Sequence, residues 1–221
     1  MPELAQSSLD PRRTLTYRLF AGLIGVLSFL WFRPTVEGAE NIPMTGAIII
    51  APIHRSNIDF ALSLFISKRK IFFMAKDGLF KFKPLGWLLL RLGAFPVNRG
   101  SADREAMALA ESVLEQGHAL LMFPEGTRMS GFSVAPLRDG AMFIAARTGA
   151  KVVPVGIAGS DLAMGEGDRV IHRAHVHLVV GAPIDPASSE GRVTRSAVAL
   201  KTEELRRKLE AVYHESLSRL A

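Results

Sequence analysis

The stretch GAIIIAPIHRSNIDFALSLFIS, residues 46–67, decides the fold. From Ala47 to Ala51 it is a short apolar, isoleucine-rich run, the pattern of a buried strand, and Pro52 follows it. From Ile58 to Ser67 it carries apolar residues at helical spacing. The polar loop His54-Arg55-Ser56-Asn57 lies between. A strand leading through a loop into a helix is the repeating unit of α/β sheets, which bind ligands beyond the carboxyl ends of their strands.

The same alternation recurs on the C-terminal side. Strands are expected at Lys70–Met74, Gly93–Val97, Ala119–Phe123, Val152–Ile157 and Val176–Val180. Helices are expected near Gly78–Leu92, Ala102–Gln116 and Arg138–Thr148, with a charged amphipathic helix from Arg195 to Leu220. The pattern predicts an α/β fold: a single mixed, mostly parallel sheet flanked by helices, preceded by an N-terminal apolar, membrane-associated helix. Without an internal repeat or a Gly/Ser linker, residues 34–221 read as one folding unit and residues 1–33 as an appended basic and apolar anchor.

Of the 221 residues 48% are hydrophobic, enough for a full core, which excludes disordered and collagen-like classes. The absence of cysteine removes thiolate zinc sites, redox pairs and a cysteine acyl-enzyme. The net charge of +6 is uneven, since residues 1–100 hold 13 Lys and Arg against 6 Asp and Glu, and the remainder 14 against 15. A basic and apolar N-terminal part points to anionic lipid ahead of nucleic acid.

Arg12, Arg13 and Arg18 precede an uninterrupted run of apolar and small residues, LFAGLIGVLSFLWF, from Leu19 to Phe32. Its 14 residues reach about 21 Å as a helix, against a hydrocarbon core ~30 Å thick. An embedded or interfacial anchor is expected; spanning requires the polar flanks to stretch inward. Trp31, Phe32 and Arg33 suit headgroup level. A secretory signal and a soluble core helix are the alternatives, the former lacking a small-x-small cleavage site. Between Lys68 and Gly93, seven basic residues alternate with Phe72, Phe73, Phe80, Phe82 and Trp87. Leu85, Leu88, Leu89, Leu90 and Leu92 make this stretch too apolar for a nucleic-acid groove, so no nucleic-acid partner is expected.

The motifs GxxxxGK[ST], HExxH and GxSxG are missing from the sequence, as is GxGxxG after a strand. Two constellations stand out instead. His54 follows the first strand and can serve as a general base, with Asp59 accepting from its other ring nitrogen. Five positions do not lie on one helix face, so the chain must turn between them, with Ser56 as the expected N-cap. Ser56-x-x-Asp59 is equally a plain capping signal. The second constellation, Phe123-Pro124-Glu125-Gly126-Thr127-Arg128, closes the strand HALLMFP. Pro and Gly force a turn there, and Arg128 offers a planar fork for phosphate oxygens, which Arg99 at the end of GAFPVN can join. An ordinary surface ion pair between Glu125 and an arginine is the competing reading. The set His172, His175, His177 near the last strand shares too few faces for a metal site, and no metal is expected. His118 and His214 read as ordinary positions.

HRSNID, GAFPVNR, FPEGTR and VVPVGI, in this order and spacing, resemble the glycerolipid acyltransferases over about Pro34 to Pro183, and among them the bacterial type acting on lysophosphatidic acid. The resemblance implies His54 as catalytic base and Asp59 as its partner, with Ser56 where the family often has serine. It implies Arg99, Glu125, Gly126, Thr127 and Arg128 as the block binding a glycerol-phosphate acceptor. Lys76 and Gly93 match the family's second block and Pro154 its fourth. Ile53 departs from the usual asparagine, and Leu137-Arg138-Asp139-Gly140 from Phe-Lys-x-Gly.

The implied reaction moves an acyl group from acyl-CoA or acyl carrier protein to the sn-2 hydroxyl of 1-acyl-glycerol-3-phosphate, with no cofactor and no covalent acyl-enzyme. The implied setting is the cytoplasmic face of the cell membrane, with membrane lipids as partners. Alternatives are the same chemistry on another lysophospholipid, glycolipid or acyl-lipid alcohol, and a non-enzymatic peripheral membrane protein using Lys68 to Arg91.

Overall fold

The computed structural model describes residues 11–97, 104–165, 167–187 and 193–220. Its centre is a seven-stranded sheet, in chain order β1 (Thr35–Glu37), β2 (Ile48–Pro52), β3 (Ile71–Lys76), β4 (Ala94–Val97), β5 (Ala119–Leu121), β6 (Lys151–Ala158) and β7 (His177–Val180). The spatial order is β1-β7-β6-β2-β5-β3-β4, parallel except for the antiparallel pair β6–β7. The mixed, mostly parallel sheet is therefore present as expected. β2 is buried at all five positions, because a central parallel strand with both faces covered has no polar side. One face packs Ile48, Ile50, Ile71 and Phe73; the other packs Ile49, Phe72, Leu120 and Val152.

The helices are α1 (Pro11–Phe32), α2 (Asp59–Leu62), α3 (Lys83–Arg91), α4 (Arg104–Glu115), α5 (Gly140–Thr148), α6 (Ser160–Met164) and α7 (Arg195–Ser218). Two expected helices are shorter. Ile58–Ser67 yields only α2 and a 3₁₀ turn, Ser63–Phe65. Gly78–Leu92 divides into a 3₁₀ turn, Asp77–Lys81, and α3, because Pro84 in the first turn of α3 cannot continue a preceding helix. The edge strand β1 escaped the sequence reading: three residues are too few to show a period. α7 lies directly on β6, where a Cβ on Gly156 would come 2.2 Å from the Val212 carbonyl oxygen.

α1 has 22 residues, extending the apolar run by about two turns. Among the described residues no helix is long and apolar enough to cross a membrane. One side of α1 packs on the domain. Tyr17 is buried and its hydroxyl accepts the Ile71 N–H at 3.3 Å; Phe20 meets Trp87 edge-on, and Phe32 is buried. The other side, including Leu15, Leu19, Leu23, Val26 and Leu30, is more than half exposed. Arg33, at φ 43°, takes the left-handed conformation that ends the helix and turns the chain into β1.

Candidate active site

Every predicted site residue except Arg99 is described, and all of those sit where parallel strands end. His54 follows β2, the Glu125–Arg128 turn follows its neighbour β5, and Lys76 ends β3 beyond that. At about 4.8 Å per strand, Lys76 rises roughly 10 Å along the edge from the strand carrying His54. Arg99 follows β4 and lies outside the described residues.

The turn after β2 brings the imidazole and the carboxylate together. His54 Nδ1 lies 2.9 Å from Asp59 Oδ2, and the ring stacks on Phe123 with centroids 3.9 Å apart. The same Oδ2 accepts the backbone N–H groups of Arg55 and Ser56, each at 2.7 Å. Asp59 is fully buried and held from three directions, so its acceptor oxygen is fixed before any substrate arrives. A carboxylate acceptor keeps the ring proton on Nδ1 and leaves the Nε2 lone pair free. Nε2 makes no hydrogen bond among the described residues, and the side chain retains 7% exposure.

Ser56 departs from its expected part. The helix starts at Asp59 with Ile58 in the cap position and no side-chain cap. The Ser56 hydroxyl accepts the Ile58 N–H at 3.3 Å and donates to the Met164 carbonyl at 2.6 Å. It ties the loop to α6, and it is Asp59 that gathers the turn's N–H groups. Ser56 is wholly buried.

Glu125 is not in a surface ion pair. Its side chain is fully buried against Arg55, with Arg55 Nη1 donating to both carboxylate oxygens at 3.1 and 2.9 Å. Glu125 also accepts the backbone N–H groups of His54 at 2.9 Å and Ala135 at 3.1 Å. Arg55 donates further to the carbonyls of His54, Gly131 and Ser133. Tyr213 of α7 covers the Arg55 guanidinium at 5.2 Å and donates to the Gly131 carbonyl; burial raises its pKa. The two motifs thus share one buried polar network that fixes where His54 sits.

The Glu125–Arg128 turn presents its outer residues to solvent. Gly126 takes φ 76° and is exposed with Thr127, while Arg128 is half-buried. A Cβ on Gly126 would meet Arg138 Nε at 2.5 Å, so a second arginine lies across the turn. Arg55 and Phe123 stand inside the two motifs with no role assigned by the sequence, and Tyr213 lies outside both. A residue flanked by His54 and Ser56 carries no signal that its guanidinium folds inward. Pro154 is buried in the middle of β6, and Gly93, at φ 88°, makes the turn into β4.

A family model described as acyltransferase matches residues 33–158. That is more than half of the chain and includes both motifs. This chain belongs to the acyltransferase family. A 1-acyl-sn-glycerol-3-phosphate acyltransferase of Bacillus subtilis is 28% identical over 194 residues, which is 87% of this chain and 94% of that protein. A chloroplastic enzyme of the same name from Arabidopsis thaliana is 27% identical over 82% of this chain, which spans only 52% of the plant protein. The crystal structure of the 1-acyl-sn-glycerophosphate (LPA) acyltransferase PlsC from Thermotoga maritima aligns with a TM-score of 0.73. It is 27% identical, with 95% of this chain and 86% of that one covered. In this acyltransferase the sheet edge presents an imidazole with a free Nε2 lone pair, next to a turn lined by two arginines.

Proposed function

We propose that this acyltransferase moves an acyl group from the thioester of acyl-CoA or acyl carrier protein to the sn-2 hydroxyl of 1-acyl-glycerol-3-phosphate. The observation that carries the reading is His54, locked to Asp59 through Nδ1 with Nε2 free, at the same sheet edge as the Glu125–Arg128 turn. His54 Nε2 takes the hydroxyl proton as the oxygen attacks the thioester carbonyl. Collapse of the tetrahedral intermediate breaks the C–S bond, and the thiolate recovers the proton from His54. A general base of this kind contributes about 10²–10⁴-fold. Arg128, Arg138, Lys76 and Arg99 hold the acceptor phosphate, and the remaining acceleration comes from that alignment. No covalent acyl-enzyme and no cofactor is required. The cationic turn favours a phosphate acceptor over a neutral lipid alcohol.

The exposed apolar side of α1 and the half-exposed Trp87 of α3 support a lipid-facing surface. In this reading the enzyme works at the cytoplasmic face of the membrane, where its acceptor resides. The test is phosphatidate formation by purified protein in mixed micelles, detected by mass. Acyl-CoA and acyl carrier protein are compared as donors, and lysophosphatidate is compared with neutral monoacylglycerol as acceptor. Phosphatidate from either donor supports the reading; equal transfer to monoacylglycerol contradicts the phosphate contact.

A further inference from the structure

The strands begin at the sheet edge opposite His54, and a second basic feature lies there. A groove of about 250 Å³ runs between α1 and the turn before β3. Arg18, Lys68 and Arg69 line it, with Gly22, Gly25 and Phe65. The length of β3 alone puts this groove about 17 Å from Lys76 and the acceptor edge. None of the three cations forms an ion pair among the described residues. Arg69 is held in place by the carbonyls of Pro43, Gly46 and Gly117, at 2.7, 2.7 and 2.8 Å. Carbonyl partners fix a guanidinium without cancelling its charge. The wall formed by α1 is bare, because a Cβ at Gly22 or Gly25 meets nothing within 4 Å.

We propose that this groove seats one anionic phospholipid of the bilayer, its phosphate among Arg18, Lys68 and Arg69 and the start of its acyl chains over Gly22 and Gly25. The volume fits that division. Pockets for whole small ligands are ~300–1,000 Å³, so this one takes a headgroup and the first chain carbons. The rest of each chain lies in the bilayer along Leu19, Leu23 and Val26, which are more than half exposed. The occupant is a resident lipid, held at a different edge from the acceptor. It orients the acyltransferase by gripping α1 at its basic end. The proposal rests on the membrane-surface reading of α1 given above.

The test measures binding of the full chain to phosphatidylcholine vesicles with and without phosphatidylglycerol, and the ratio of the two affinities. Arg18→Gln/Lys68→Gln should lower the preference for phosphatidylglycerol about fivefold per lost cation. Gly25→Leu is the discriminating variant. It fills the groove without altering charge, and leucine suits a helix better than glycine does. A seated lipid predicts that Gly25→Leu and Gly22→Leu lose anionic preference, as the charge variant does. Simple adsorption predicts an unchanged ratio and tighter binding overall, because an apolar residue has been added; that result overturns the groove alone. No binding to either vesicle overturns the membrane reading as well.

Discussion

Removing both partners of the Arg55–Glu125 pair should damage this fold less than the sum of removing each alone. Arg55 and Glu125 have side chains 1% and 0% exposed, with a 2.9 Å contact. Glu125→Gln leaves a buried guanidinium without its counter-charge, and Arg55→Met leaves a buried carboxylate with only the N–H groups of His54 and Ala135. Breaking a buried pair from one side costs about 3–5 kcal/mol, a large share of the ~5–15 kcal/mol that holds a domain together. Arg55→Met/Glu125→Gln removes both charges, and its cost should fall short of the summed single costs by about 1–3 kcal/mol. Urea unfolding of the four proteins followed by far-UV CD gives the cycle. Single costs below ~1 kcal/mol, the range of exposed pairs, or additive behaviour would show that the network is not the dry junction described.

Asp59→Asn should lower kcat by about 10⁴-fold with little change in KM, because the amide no longer fixes the His54 tautomer; steady-state kinetics with lysophosphatidate checks it. Gly156→Ala should cost about 1–3 kcal/mol in thermal or urea unfolding, since the new methyl collides with the Val212 carbonyl and must push α7 from β6. Burial lowers the His177 pKa, and so do Arg219 and His175, against the opposing pull of Glu37 and Glu215. Burial, Lys70 and Arg69 lower that of His118. For both, the unfolded chain binds protons more readily between the folded-state pKa and about 6.5, so stability is lost as pH falls through that window. His118→Gln/His177→Gln should flatten the slope of unfolding free energy as pH falls below about 6.5.

The order of strands and helices was legible because buried parallel strands are short and continuously apolar, as in Ile48–Ile50 and Val152–Val155. The three-residue strand β1 and the broken helices after Ile58 and Gly78 were not, since their limits come from tertiary contacts and from Pro84. The pairing of His54 with Asp59 was one of two readings the spacing left open, beside a plain helix cap, and the turn at Glu125 was legible from its flanking Pro and Gly. The direction of the Glu125 carboxylate was illegible: burial against Arg55 depends on two loops, residues 53–58 and 124–135, meeting at neighbouring strand ends. Tyr213 joins that junction from α7, more than 150 residues away in the chain from His54, beyond the reach of any local pattern.

The central claim is that one imidazole removes the acceptor proton, and a thiol-release assay with acyl-CoA and lysophosphatidate tests it most directly. His54→Ala, with an unchanged far-UV CD spectrum, should reduce the lysophosphatidate-dependent rate by at least about 10²–10⁴-fold. A variant that releases thiol at the parent rate would contradict the account.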